Sequence, residues 1–230
     1  MSLVGASTGL ANSVSIADMG ISQSGTVKRD ASRAKIVAAA MEELDSLPDW
    51  SGEVGLTAVA KRVGIAPPSL YKHVSSAADL HRGIATECVR ELREVVTNAV
   101  LGRSGADALQ SLIRSTRGYA LEHPGRYAAT QRAANRADPA DADLAVESDR
   151  LVHVIAASLA EYALSDEGML DAIRVVRAAT HGFIMLEMRG GFGLPNSVEH
   201  TFDTMITLLI DGIDALRERE PEAPPEGRDA

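Results

Sequence analysis

The chain has 230 residues, enough to bury a sizeable core in one domain or two small ones. Apolar residues make up 45% of it and aromatics 3%, with alanine and leucine prominent, a balance that favours helices over strands. The single cysteine, Cys88, excludes an internal disulfide, and no apolar run approaches the roughly 20 residues that span a membrane.

The net charge of −9 is unevenly spread. Residues 28–82 hold eight Lys/Arg against seven Asp/Glu, whereas residues 83–230 hold fifteen against twenty-four. A weakly basic segment on an acidic body suits a protein that binds a specific nucleic-acid site and leaves bulk nucleic acid readily. The first residues show no basic stretch followed by an apolar run, so no signal peptide is expected, and the expected location is cytoplasmic.

Residues 1–27 are rich in Ser, Gly, Ala and Thr, carry almost no charge and lack a sustained period, which predicts a disordered arm. Lys28 and Arg29 follow directly. The first predicted helix runs from about Ser32 to Leu47, with Ile36, Val37, Ala40, Met41 and Leu44 as its apolar face. Pro48-Asp49-Trp50-Ser51-Gly52 reads as a turn, with Trp50 as a packing residue.

The next stretch organises the chain. Leu56, Val59, Ala60 and Val63 fall at i, i+3, i+4 and i+7, one face of a helix, and Gly64 follows where a left-handed residue ends a helix cheaply. Pro67 and Pro68 start a second helix, because proline is tolerated only in the first turn. Leu70 and Val74 give that helix a buried side; Ser69, Tyr71, Lys72 and His73 lie on the other. A helix–turn–helix of this kind places its second helix in the DNA major groove.

The run from Val59 to Val74, with Leu70-Tyr71-x-His73-Val74 and then Asp79-Leu80, resembles the DNA-binding domain of TetR-type transcriptional regulators over roughly Asp30 to Thr86. The resemblance implies that Ser69, Tyr71, Lys72 and His73 meet DNA, Tyr71 and His73 mainly through its backbone. It puts Pro67 and Pro68 where relatives touch bases, so readout there is apolar, most simply against a thymine methyl. It offers Lys28 and Arg29 as a contact to the DNA backbone or minor groove; a solvated domain edge is the plain alternative. Two positions depart from the pattern. Gly55 stands where relatives carry a capping Ser or Thr, which leaves Thr57 and the helix N-terminus for the phosphate. Ala77 stands where relatives often carry a phosphate-binding lysine, so Ser75 or Ser76 is left to cap the fourth helix, and a shallow salt dependence of binding is expected.

Helices are predicted over about 77–101, 106–122, a short one to about Arg136, 141–164, 167–188 and 197–217, with Gly, Pro or Asp-Pro breaks between them. Residues 218–230 are acidic and proline-rich and read as a disordered tail. Thr180-His181-Gly182-Phe183, with Glu122-His123-Pro124 and Tyr127, partly resembles the C-terminal domain of a TetR subgroup with a Trp-His-Gly signature; Thr180 replaces the Trp. That resemblance implies that the last two long helices pair with their copies in a homodimer, with Phe183, Phe202, Met205, Ile206, Leu209 and Ile213 at the interface. It also implies an effector cavity between the C-terminal helices, for which Tyr119, His123, Tyr127, Met185 and Met188 are candidate lining.

No phosphate-cradling loop, nucleophile elbow or di-iron Glu-x-x-His pair is present. Asp149 with His153, and His200 with Asp203, offer two ligands each, too few for a metal site. No metal, cofactor or catalytic residue is therefore expected. The expectation is an all-α chain, with a three-helix helix–turn–helix domain over 28–82 and a helical ligand-binding and dimerisation domain over 83–217. Its expected function is that of a regulator, a repressor released from a palindromic double-stranded DNA operator by an unknown small-molecule effector, with no membrane partner. A regulator without a small-molecule ligand, and a helical enzyme with an appended DNA-binding domain, stay open as alternatives.

Overall fold

The computed structural model describes residues 20–47, 50 and 53–219, with side-chain surroundings for those between 32 and 217. Its α-helices are α1 Gly20–Asp45, α2 Leu56–Val63, α3 Pro67–Leu70, α4 Ala77–Val100, α5 Gly105–Glu122, α6 Pro124–Ala129, α7 Ala142–Ser158, α8 Asp166–Met188 and α9 Val198–Arg219. Tight 3-10 turns at Pro139–Asp141 and Ala160–Tyr162 flank α7. None of the described helices is long and apolar enough to cross a membrane.

The local stop and start signals work as their chemistry dictates. Gly55 caps α2 without a side-chain bond, and Gly64 ends it at φ +78°, its N–H reaching the carbonyls of Ala60 and Lys61. Only glycine takes that left-handed turn without cost. The Ser76 hydroxyl accepts the Asp79 N–H at 3.0 Å and caps α4, as expected of this serine pair.

Helix extents differ from the sequence expectation in four places. α1 begins at Gly20 rather than near Ser32, so residues 20–27 are helical and not part of an arm. The apolar stripe that marks the helix in sequence starts only at Ile36, yet a formed helix propagates upstream of its buried face at little cost per residue. α3 ends at Leu70, and Tyr71, Lys72 and His73 continue in a tighter turn, with the His73 N–H on the Leu70 carbonyl at 2.9 Å. α6 stops at Ala129, because the Thr130 hydroxyl donates back to the Tyr127 carbonyl at 2.7 Å and the Asn135 N–H goes to the Asp141 carboxylate at 2.7 Å. α7 closes at Ser158, and Ala163 at φ +49° turns the chain toward α8. Residues 1–19 and 220–230 lie outside those described; residues 218–219 belong to α9.

The helices build two apolar cores. In the N-terminal one, Ile36, Leu44, Val59, Leu70 and Val74 meet Leu80, Ile84 and Cys88 of α4 and Ala129 of α6. Burial pushes the Cys88 thiol up, so it behaves as a small core residue. In the C-terminal core, Leu92 and Val96 of α4 meet α5, α6, α7, α8 and α9, with Phe183 and Phe202 in ring contact at 5.0 Å. α4 therefore runs through both.

Buried carboxylates bind α7 to α4. Asp141 accepts from Arg82 at 2.6 Å. Glu147, with its side chain 4% exposed, is held by Arg93 at 3.1 Å, Arg150 at 2.7 Å and Arg90 at 3.5 Å. Removing the acid takes away the carboxylate that Arg90, Arg93 and Arg150 share and leaves a gap where its buried side chain stood. Glu147→Ala should lower the unfolding free energy by about 2 kcal/mol, read from urea denaturation, with no change in helix content by circular dichroism.

Candidate functional site

The segment expected to read DNA sits on the surface, anchored from beneath. Leu70 and Val74 are fully buried while Tyr71, between them, is 54% exposed. Thr57, Pro67, Pro68 and Lys72 are exposed, and Ser69 is half-buried. His73 differs. It is half-buried, and its Nδ1 is buried without a partner, so the ring leans inward. The side chains of Lys28 and Arg29 lie outside those described. Trp50 is half-buried.

One arginine, passed over in the sequence reading, fixes this turn. Arg33 of α1 donates to the His73 carbonyl at 3.4 Å and to both Asp79 carboxylate oxygens, at 2.8 and 3.0 Å. Asp79 also accepts the Ser75 N–H at 2.8 Å. Burial alone would raise the Asp79 carboxyl, but the Arg33 bonds and the Ser75 N–H outweigh it and hold the pKa at about 2. α1, the reading turn and the start of α4 are thus pinned together by one side chain.

A partly open cavity of about 80 Å³ lies in the C-terminal domain. α4 contributes Leu92 and Val96 to it, α5 Leu112 and Thr116, α6 Tyr127, and α8 Val176, Arg177, Thr180 and His181. The Tyr127 hydroxyl meets His181 Nδ1 at 3.1 Å. Burial, and then the Arg177 charge, lower the His181 pKa, so the imidazole is neutral near neutral pH; burial pushes Tyr127 up to about 12. The Thr180 hydroxyl is buried and has no hydrogen-bond partner.

Of the five candidate lining residues, only Tyr127 reaches this cavity. Tyr119 and His123 line a separate open groove beside Glu91 and Arg126, with the Tyr119 hydroxyl donating to Glu91 at 3.1 Å. Met185 and Met188 pack against the C-terminal core. Helical spacing puts Tyr119 with Thr116, and Met185 with His181, but it does not say which turn of a helix borders a void. The readable signal was Thr180-His181, two polar residues on a helix face that is otherwise core.

The cavity and the N-terminal core are joined at α6. Arg126 pairs with Asp45 of α1 at 2.6 Å and with Glu91 of α4 at 3.1 Å. Beside it, a Cβ on Gly125 would stand 2.6 Å from the Leu44 carbonyl oxygen, so α6 meets the end of α1 backbone to backbone.

Four of the six residues expected at the dimer face are turned inward, and two are partly exposed. Phe183, Phe202, Ile206 and Ile213 are buried in the chain's own core, and Met205 and Leu209 pack against it. A wide apolar stripe serves its own chain first, and these residues form the inner part. What stays exposed on α8 and α9 includes Leu170 at 47%, Val175 at 54%, Leu186 at 51% and Leu208 at 67%, with Ala178 between Val175 and Leu186.

A short, exposed polar turn after a glycine-linked helix, set on a separate helical domain with a cavity, defines a helix–turn–helix regulator. Comparison with known proteins agrees. The tetracyclin repressor-like C-terminal domain family matches residues 109–209. The chain is 32% identical over 159 residues to the uncharacterized HTH-type transcriptional regulator Rv0681 of Mycobacterium tuberculosis, covering 69% of this chain and 71% of that one. It is 27% identical over 180 residues to the uncharacterized regulator YobS of Bacillus subtilis, covering 77% and 90%. It shares the fold of the TetR family regulator PfmR of Thermus thermophilus, with a TM-score of 0.56 at 16% identity over 75% of this chain and 97% of that one. The chain belongs to the TetR family of transcriptional regulators.

The Arg33–Asp79 pair carries a testable pH signature. The folded pKa of Asp79 lies below its unfolded value near 3.8, so its contribution is present above that value and is lost as pH falls toward about 2. Asp79→Asn should cost on the order of 1 kcal/mol at neutral pH, and the difference from the unaltered chain should close as denaturation is repeated down to about pH 2.

Proposed function

We propose that the chain is a cytoplasmic repressor, not an enzyme, that binds a palindromic operator as a homodimer and is released by a small molecule in the C-terminal cavity. The observation that carries the DNA reading is the turn at Tyr71 and Lys72, held outward while Leu70 and Val74 are fully buried and Arg33 grips its backbone. Thr57, Pro67, Pro68 and Ser69 are assigned to the same surface, with His73 as a backbone support more than a contact. Lys28 and Arg29 keep their assignment as a flanking DNA contact. The helix–turn–helix domain is taken as 28–82 and the effector and dimerisation domain as 83–217.

The homodimer reading rests on the exposed apolar residues of α8 and α9, and members of this family act as dimers. Ala178 and Gly182 beside Val175 and Leu186 let a second helix approach closely. Two-fold symmetry then sets two reading turns about one helical turn of DNA apart. The Trp-His-Gly subgroup is retained for the C-terminal domain, supported by His181 on the cavity wall and Phe183 in the core.

Release follows from helix sharing. A ligand between α4, α6 and α8 presses on two helices that also enter the N-terminal core, and α6 transmits through Gly125 and Arg126 to the end of α1. The ligand must bind the released shape better than the DNA-bound one for this to derepress.

A footprint on the DNA flanking the protein's own gene tests the central reading. A palindromic footprint is expected, lost on adding the right metabolite. Lys72→Ala should weaken binding to all sequences alike and reduce the salt slope by about 1, and Tyr71→Ala should cost about tenfold in affinity at unchanged stability. Wild-type binding by both variants would overturn the assignment. Leu208→Glu puts a charge on the proposed apolar dimer face and should shift sedimentation from dimer to monomer with helix content intact.

A further inference from the structure

The reading of the cavity as an effector site, on which this inference rests, leaves the chemistry of the occupant open, and the lining narrows it. Nearly every described arginine has a carboxylate within 4.0 Å; among the described side chains Arg177 and Arg189 are the exceptions. Of these two, Arg177 borders the cavity. No Asp or Glu lines it, in a chain with 32 of them. An exposed arginine at the rim of an acid-free cavity presents an uncompensated positive charge to whatever enters.

Deeper in, Thr180 is 4% exposed and its hydroxyl has no partner, whereas buried hydroxyls in folded proteins are nearly always hydrogen-bonded. It stands one helical turn from Arg177, on the same wall. The remaining walls bring Leu92, Leu112 and Ile155 beside Thr116, Thr130 and Gln131, whose donors are already engaged within the chain, and no lysine or second arginine stands among them. A volume of about 80 Å³ equals roughly six water positions, which limits the occupant to a compact molecule.

We propose that the cavity takes a small monocarboxylate with a short apolar chain. Its carboxylate pairs with Arg177 and accepts from the Thr180 hydroxyl, and its chain lies against Leu92, Leu112 and Ile155. A cation is repelled at the rim. A dicarboxylate would bring in a second charge with no second arginine or lysine on the wall to meet it.

The test uses the full chain, with butyrate, 3-methylbutyrate and hexanoate set against the matched primary alcohols, amides and amines. Calorimetry reads affinity, and NMR of the His181 ring reports occupancy of the cavity. The carboxylates should shift the His181 signals and bind at least about tenfold tighter than the matched amides. Arg177→Gln, an exposed change that should leave the melting temperature unaltered, should erase that preference, while Arg189→Gln should keep it. Equal binding of amides, alcohols or amines, or an unchanged carboxylate affinity in Arg177→Gln, overturns the proposed class; His181 shifts seen in the same titrations would leave the effector-site reading standing. Silence of His181 toward every compound overturns both.

Discussion

The contact between Gly125 and the Leu44 carbonyl is the constraint on which the rest of the architecture depends. Here two helices meet without side chains between them: a Cβ on Gly125 would stand 2.6 Å from a backbone oxygen, closer than any real Cβ approaches. A backbone contact of this kind cannot be relieved by a rotamer change. Any shift of α6 must move the end of α1 or open a gap, and a gap costs packing. Arg126 reinforces the contact by holding Asp45 and Glu91 together. The N-terminal domain therefore has no soft hinge at this point. It is coupled to α4 and α6 by shared core on one side and by charge on the other.

Such a junction suits a regulator because the energies required are small. Coupling between two sites in regulated proteins is typically about 1–3 kcal/mol, the scale of one buried ion pair or one misplaced methylene. The proposed release would use this stiff path from the cavity to the turn, since tightly packed elements rearrange together or not at all. Arg33 completes the path, because it ties the turn to both α1 and the start of α4. The turn therefore follows the helices that hold it.

What the sequence disclosed was local. Gly64, the paired prolines and Ser76 mark helix ends through chemistry confined to a few neighbours, and each acts where it was expected. Helix faces were legible too, since Leu70 and Val74 are buried beneath Tyr71. Three things were not. Helices such as α1 outrun their apolar stripe, and α6 stops short where side chains bond back to the main chain. Partners distant in sequence, such as Arg82 with Asp141 or Arg33 with Asp79, leave no pattern in the chain. The void itself was hidden. Periodicity says which face of α5 and α8 turns inward, yet where a core fails to close depends on the volumes of five helices at once, so Tyr119, Met185 and Met188 lay on plausible faces at the wrong depth.

An acidic chain can still host a turn proposed to read DNA. Net charge counts carboxylates wherever they are, but a duplex feels those that remain uncompensated near the contact. In the C-terminal domain many acids are already taken: Asp141 and Glu147 by α4 arginines, Glu187 by Arg117 at 2.6 Å, and Asp203 by Arg114 at 2.5 Å. In the N-terminal domain Glu43 is held by Arg62 at 2.7 Å and Asp79 by Arg33. Lys72 has no such partner among the described residues, so its charge stays available on an exposed turn. Pairing elsewhere leaves few cations free among the described residues, and two of these stand where the fold presents them, Lys72 on the turn and Arg177 at the mouth of the cavity.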